Sequence, residues 1–126
     1  MPFIDTHELR SEEPLAGWEG RFLNSESMTF AYYSVTAGAS IHEHAHPNEE
    51  VWHVIEGEFE VTIGGESRVA GPGCVALVPP NASHGVRART DGRAIVVDHP
   101  LRHAIGGRPI VTACDHGDPG GRRSPP

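Results

Sequence analysis

The stretch GASIHEHAHPNEEVWHVIEG, residues 38–57, decides how this chain is read. His42, His44 and His46 occupy every second position, and Glu49 and Glu50 follow a Pro-Asn pair. The chain has nine histidines, and these three alternating ones are a third of them. Side chains alternate between the two faces of a strand, so a regular strand puts His42, His44 and His46 on one face. Pro47-Asn48 breaks that strand. If the next strand re-enters in step, Glu50, Trp52 and Val54 share the same interior side.

An interior holding imidazoles and a carboxylate is costly unless each polar group is satisfied. A divalent cation satisfies them together, and this donor set suits Fe, Mn, Ni, Cu, Co or Zn. Two rings one residue apart reach one ion from one strand, and the carboxylate comes from the next. The same short pattern also fits a solvated histidine-rich loop or ordinary core histidines. Spacing alone leaves both readings open.

Outward from this stretch, residues 28–99 are short segments rich in Val, Ile, Thr, Phe and Tyr between Gly, Pro and Asn turns. MTFAYYSVT (28–36), EVWHVIEG (50–57), FEVTI (59–63), SRVA (67–70), CVALVP (74–79), SHGVRAR (83–89) and RAIVVDH (93–99) read as strands. Gly64-Gly65 marks a hairpin, and Gly71-Pro72-Gly73 and Pro79-Pro80-Asn81 mark turns. No segment of helical period and convincing length appears, so the spacing predicts an all-β sandwich or barrel.

The 126 residues suit one domain, and fifteen glycines with eleven prolines argue for many tight turns. A net charge of −7, with Arg122-Arg123 as the one basic cluster, argues against nucleic acid as a partner. No apolar run is long enough to span a bilayer. The first residues, MPFIDTHELRSEEP, lack the layout of a signal peptide. The expectation is a soluble cytoplasmic protein with no membrane partner. Cys74 and Cys114 form no CxxC and read as separate thiols. Residues 1–26 read as an N-terminal arm or edge strand, 27–105 as the barrel domain, and 106–126 as a C-terminal segment disordered from about 115.

Two spaced patterns carry a family resemblance. Gly38 is followed by five residues, His44, one residue, His46, three residues, Glu50, six residues and Gly57. Gly73 is followed by five residues, Pro79, one residue, Asn81, two residues and His84. These motifs resemble the two motifs of the cupin family. The chain departs from the second motif twice: Asn81 stands where glycine is usual, and Ala88 where asparagine is usual. Asn tolerates positive φ better than most residues, so the first change is mild.

The resemblance implies a double-stranded β-helix, a jelly-roll barrel of two antiparallel sheets. It implies one divalent transition metal ion (Fe, Mn, Ni, Zn or Cu) held by His44, His46, Glu50 and His84. A dication on three neutral imidazoles and one carboxylate keeps a charge of +1, which welcomes an anion. It also implies a homodimer. His42 is expected at the rim beside the ligands. Trp52 is a pocket candidate, though core packing suits it equally. One of Tyr32 and Tyr33 faces inward, and Tyr32 is carried as the pocket candidate. By parity Glu49, His53, Arg87 and Arg89 face outward. His99 and His103 read as surface residues.

Function is less constrained than fold. The preferred reading is a small metalloenzyme, dioxygenase-like or an isomerase or lyase, acting on a small polar or anionic organic molecule. The alternative is a non-catalytic, metal-dependent module that binds a sugar or other small ligand. A storage or purely structural role ranks last.

Overall fold

Strand after strand, side chains alternate between buried and exposed. In β3 (Thr29–Val35), Thr29, Ala31, Tyr33 and Val35 are buried, while Phe30, Tyr32 and Ser34 are not. The computed structural model describes residues 3–105 and the backbone of Arg108 and Pro109. The other strands are β1 (Ser11–Leu15), β2 (Trp18–Asn24), β4 (Ser40–His44), β5 (Glu49–Glu56), β6 (Phe59–Ile63), β7 (Glu66–Ala70), β8 (Val75–Val78), β9 (His84–Ala88), β10 (Gly92–His99), β11 (Ala104–Ile105) and β12 (Arg108–Pro109). Among the described residues there is no α-helix, only a 3-10 turn at Thr6–Glu8, and hence no helix able to cross a membrane. Cys114 and the tail from about 115 lie outside the described residues.

Two antiparallel sheets make the jelly roll. One has six strands in the order β1-β2-β3-β10-β5-β8, the other four in the order β4-β9-β6-β7. Non-consecutive neighbours in both sheets show the chain crossing repeatedly between them. The strand boundaries lie within one or two residues of those expected from the sequence.

The segment read as an arm contributes a hairpin. β1 is the sheet edge, but β2 lies inside the sheet against β3. Trp18 of β2 is fully buried and meets Tyr33 and Trp52 edge-on at 5.4 and 5.7 Å between ring centres. Phe22 and Phe59 complete this aromatic floor. Gly20 makes room for it, since a Cβ there would stand 2.9 Å from the Tyr33 ring.

The structure corrects the parity argument for the histidine strand. β4 pairs with β9 as Ser40↔Arg87 and Ile41↔Val86, then as His44↔His84. One extra residue in β4 makes a bulge between Ile41 and His44. Strict alternation from His42 to His44 is therefore broken. Gly85 lies against this bulge, where a Cβ would stand 3.1 Å from the Ile41 carbonyl oxygen.

Candidate metal centre

Each of the three imidazoles is oriented by its own local backbone. His44 Nδ1 lies 2.9 Å from the His42 carbonyl oxygen, and His84 Nδ1 lies 2.9 Å from that of Ala82. His46 Nδ1 lies 3.2 Å from the carbonyl of Asn48. A carbonyl only accepts, so each Nδ1 carries the donating hydrogen, and each neutral ring keeps its Nε2 lone pair free. One ring nitrogen from each of the three histidines comes within 4.8 Å of the others.

Turns bring these rings together. His44 and His84 are cross-strand partners. His46 is tied to the second motif, because Asn81 N donates to the His46 carbonyl at 2.8 Å. Asn81 has φ 66°, the left-handed conformation expected of the glycine it replaces.

Glu50 enters from β5. Its Oε1 accepts a hydrogen bond of 2.9 Å from Trp52 Nε1 and lies 2.9 Å from His84 Nε2. Its Oε2 stands 3.6 Å from His46 Nε2. Neither Nε2 is aligned in a hydrogen bond, although both are buried. With Nδ1 as the donor, each Nε2 turns its lone pair toward the Glu50 carboxylate, an arrangement that calls for a proton or a cation between them. A cation is the natural partner of such a set, and the residues present fit one.

The electrostatics agree. Burial pushes the Glu50 carboxyl up, but His46, His84, Asp98 and Trp52 together outweigh it and hold it well below the usual range. Burial pulls His84 down, yet Glu50 and the Ala82 carbonyl raise it above the ordinary imidazole value. His44 is lowered, chiefly by burial.

Three participants escaped the sequence reading. Asp98 of β10 is 1% exposed and lies across from Glu50. Burial and the Glu50 carboxylate push its carboxyl up to about 9, against the pull of Arg102. Arg102 Nη1 stands 3.7 Å from Glu50 Oε2 and 3.6 Å from Asp98 Oδ2. Its backbone is anchored, since Arg102 N donates to Thr29 Oγ1 at 2.8 Å. Asn48 helps, donating from Nδ2 to the Pro100 carbonyl at 2.6 Å. The third is Tyr33.

Beside these groups lies a cavity of about 230 Å³. Tyr33, Trp52, His42, His44, Glu50, Asp98 and Arg102 line it, with Leu15, Ile41, Val96 and Ile105 as apolar wall. The pocket tyrosine is thus Tyr33, not Tyr32. β3 turns Tyr32 to the outer face, beside Arg21 and Ile95. Trp52 is both core and pocket. His42 is exposed at the cavity's rim, and Glu49, His53, Arg87, Arg89, His99 and His103 are exposed as parity and position suggested. Cys74 is a half-buried free thiol that does not line this cavity.

Two sheets closed into a barrel, with imidazoles and a carboxylate gathered inside, define a small jelly-roll protein with a candidate metal site. The cupin domain family model matches residues 31–100, and the chain belongs to that family. It is 30% identical over 81 residues to the uncharacterized protein SCO3923 of Streptomyces coelicolor, covering 64% of this chain and 77% of that one. An RmlC-like cupin from Shewanella frigidimarina NCIMB 400 superposes with a TM-score of 0.76 at 28% identity, over 81% of this chain and 93% of the other. KdgF from a Halomonas species does so with a TM-score of 0.76 at 25% identity, over 81% and 96%.

Proposed function

We propose that this protein is a metal-dependent enzyme that moves a proton on a small organic acid, as an isomerase or lyase. The observation that carries this reading is the convergence of three backbone-oriented imidazoles and Glu50 beside a cavity also lined by Asp98, Tyr33 and Arg102. His44, His46, Glu50 and His84 would hold one divalent transition metal ion. Such an ion, when bound, supplies Lewis-acid polarisation of a substrate oxygen.

The chain's own residues account for the rest. Arg102 holds its carboxylate neighbours at ion-pair rather than hydrogen-bond distance, so its fork of donors is available to a substrate carboxylate. Glu50 and Arg102 cancel in charge. A dication then leaves the pocket positive even if Asp98 gives up its proton, which favours an anionic substrate. Asp98 holds a proton at neutral pH and can deliver it. Tyr33 likewise keeps its phenolic proton, because burial and the nearby carboxylates raise it. Leu15, Ile41, Val96 and Ile105 give the cavity an apolar wall against which a substrate's carbon skeleton can pack.

The test starts with elemental analysis of protein purified without an affinity tag. The protein is then loaded in turn with Fe, Mn, Ni, Zn and Cu. Each form is incubated with small hydroxy and keto acids in heavy water, with deuterium uptake followed by NMR and oxygen by electrode. Deuterium incorporation without oxygen consumption supports the reading. Oxygen consumed in step with substrate moves the chemistry to a dioxygenase. Saturable binding without turnover identifies the non-catalytic binder.

A further inference from the structure

The cavity beside the histidine cluster has two unlike ends. Asp98 and Glu50 face each other across β10 and β5, and the next inward pair along the same two strands is Val96 and Trp52. Arg102 stands at ion-pair distance from both carboxylates and completes the charged end. Two residues along a strand advance roughly 7 Å. Within that length the wall passes from charged to apolar, so only the head of a ligand meets charge. Trp52 has no donor to offer, because its Nε1 is bonded to Glu50 Oε1 at 2.9 Å. Leu15 of β1, Ile41 of β4 and Ile105 of β11 continue the apolar wall from Val96. Each packs against the core yet is only half-buried, which leaves aliphatic surface for a ligand to cover. Beyond the charged end and His44, Tyr33 and, at the rim, His42 are the polar side chains among the described residues that line the cavity.

We propose that this cavity takes a short 2-hydroxy or 2-oxo monocarboxylate with a hydrocarbon side chain, and not a polyhydroxylated sugar acid. The proposal rests on the reading of this cavity as the substrate site of a metal-dependent enzyme. The carboxylate pairs with the Arg102 guanidinium, and the side chain lies on Leu15, Ile41, Val96 and Ile105. Arg102 is the one guanidinium lining the cavity among the described residues, which matches one carboxylate rather than two. A sugar acid carries a hydroxyl on every carbon past its head. Tyr33 and His42 can partner one or two of these. The rest would be buried against aliphatic side chains, each at a cost of about tenfold in affinity. A hydrocarbon reverses the balance, since every methylene moved from water onto the wall tightens binding about fourfold. Size agrees as well. At about 230 Å³ the cavity falls below the roughly 300–1,000 Å³ of pockets that take drug-sized ligands.

The test is calorimetric titration of the zinc-loaded full chain with lactate, 2-hydroxybutanoate, 2-hydroxy-4-methylpentanoate and gluconate, with the metal-free protein as control. Affinity should rise about fourfold per added carbon from lactate to 2-hydroxy-4-methylpentanoate. Gluconate has the same carbon count as the last of these and should bind at least about tenfold more weakly. Ile41→Thr puts a hydroxyl on the wall in place of hydrocarbon. It should weaken 2-hydroxy-4-methylpentanoate about fourfold and leave lactate unchanged, a split that general loosening of the fold does not give. Gluconate bound as tightly as 2-hydroxy-4-methylpentanoate overturns the proposal, and so does an affinity that stays flat along the series. The same acids incubated with the zinc form in heavy water report deuterium uptake. Apolar preference without exchange overturns the isomerase or lyase reading and upholds the substrate class. Exchange with gluconate preferred does the reverse. Binding of none of the acids overturns both.

Discussion

Asp98 on β10 stands directly across from Glu50 on β5, and both side chains point inward and are buried. Two carboxylates so placed cannot both ionise cheaply in a low-dielectric interior. The contacts around Glu50 favour its charged form, and the proton stays on Asp98. Arg102 sits against both. The pair thus divides into a carboxylate facing the histidine cluster and a neutral acid, and the difference arises from their neighbours rather than from residue type.

Asp98→Asn separates these roles. Asparagine mimics the protonated acid in shape but cannot give up a proton. Metal content should stay near that of the parent protein, while turnover falls by roughly 10²–10⁴-fold, the usual worth of a positioned acid or base. Elemental analysis and kcat on the same sample check both halves. Loss of metal in this variant would place Asp98 among the ligands.

The histidines are distinguished by substitution. His44→Ala, His46→Ala and His84→Ala should each strip most of the metal, whereas His42→Ala, at the rim, should keep it. Equal loss in all four would mean that the cluster has been drawn wrongly. Trp52→Phe keeps the ring but removes the hydrogen bond to Glu50 Oε1, so metal affinity should fall about 10–100-fold. Calorimetric titration of the apoprotein reads this change.

Metal affinity should rise with pH. A proton and the cation compete for the same ring nitrogen. His84 holds its proton above the ordinary imidazole value because Glu50 and the Ala82 carbonyl outweigh burial. The competition therefore persists above the usual imidazole pKa of about 6.5. Glu50→Gln removes the main stabiliser of that proton, so the remaining pH dependence should shift to lower pH. Zinc titrations between about pH 6 and pH 8 in non-coordinating buffers give the slope.

Trp18→Ala tests whether the N-terminal hairpin belongs to the core. Trp18 is fully buried against Tyr33, Trp52 and Phe59. Its removal should cost roughly 3–5 kcal/mol, read as a lowered urea midpoint. A loss below about 1 kcal/mol would return this segment to the status of a dispensable arm.

Much of this was legible beforehand because it is local. Alternation and turn residues are short-range properties, so the strands from 28 to 99 could be read one by one. Asn81 could be read as a left-handed residue, and its φ of 66° agrees. That His44, His46, Glu50 and His84 belong together is what the resemblance of two spaced motifs implies; in the structure one nitrogen of each of the three histidines lies within 4.8 Å of the others, and Glu50 stands beside His46 and His84. The bulge in β4 was hidden, because an extra residue is defined only against its partner strand and Gly85 carries no mark of that role.

The sequence by itself determined the strand order along the chain and the turns, since each rests on residues a few positions apart, and two spaced motifs, through their family resemblance, implied the histidine–glutamate set. Only the tertiary structure decided that Tyr33 rather than Tyr32 faces the cavity, and that Asp98 and Arg102 join Glu50. Those choices depend on strand register and on which face a sheet turns toward its neighbour. Register is set by packing across the barrel, between residues as far apart as Glu50 and Arg102, and no local pattern records it.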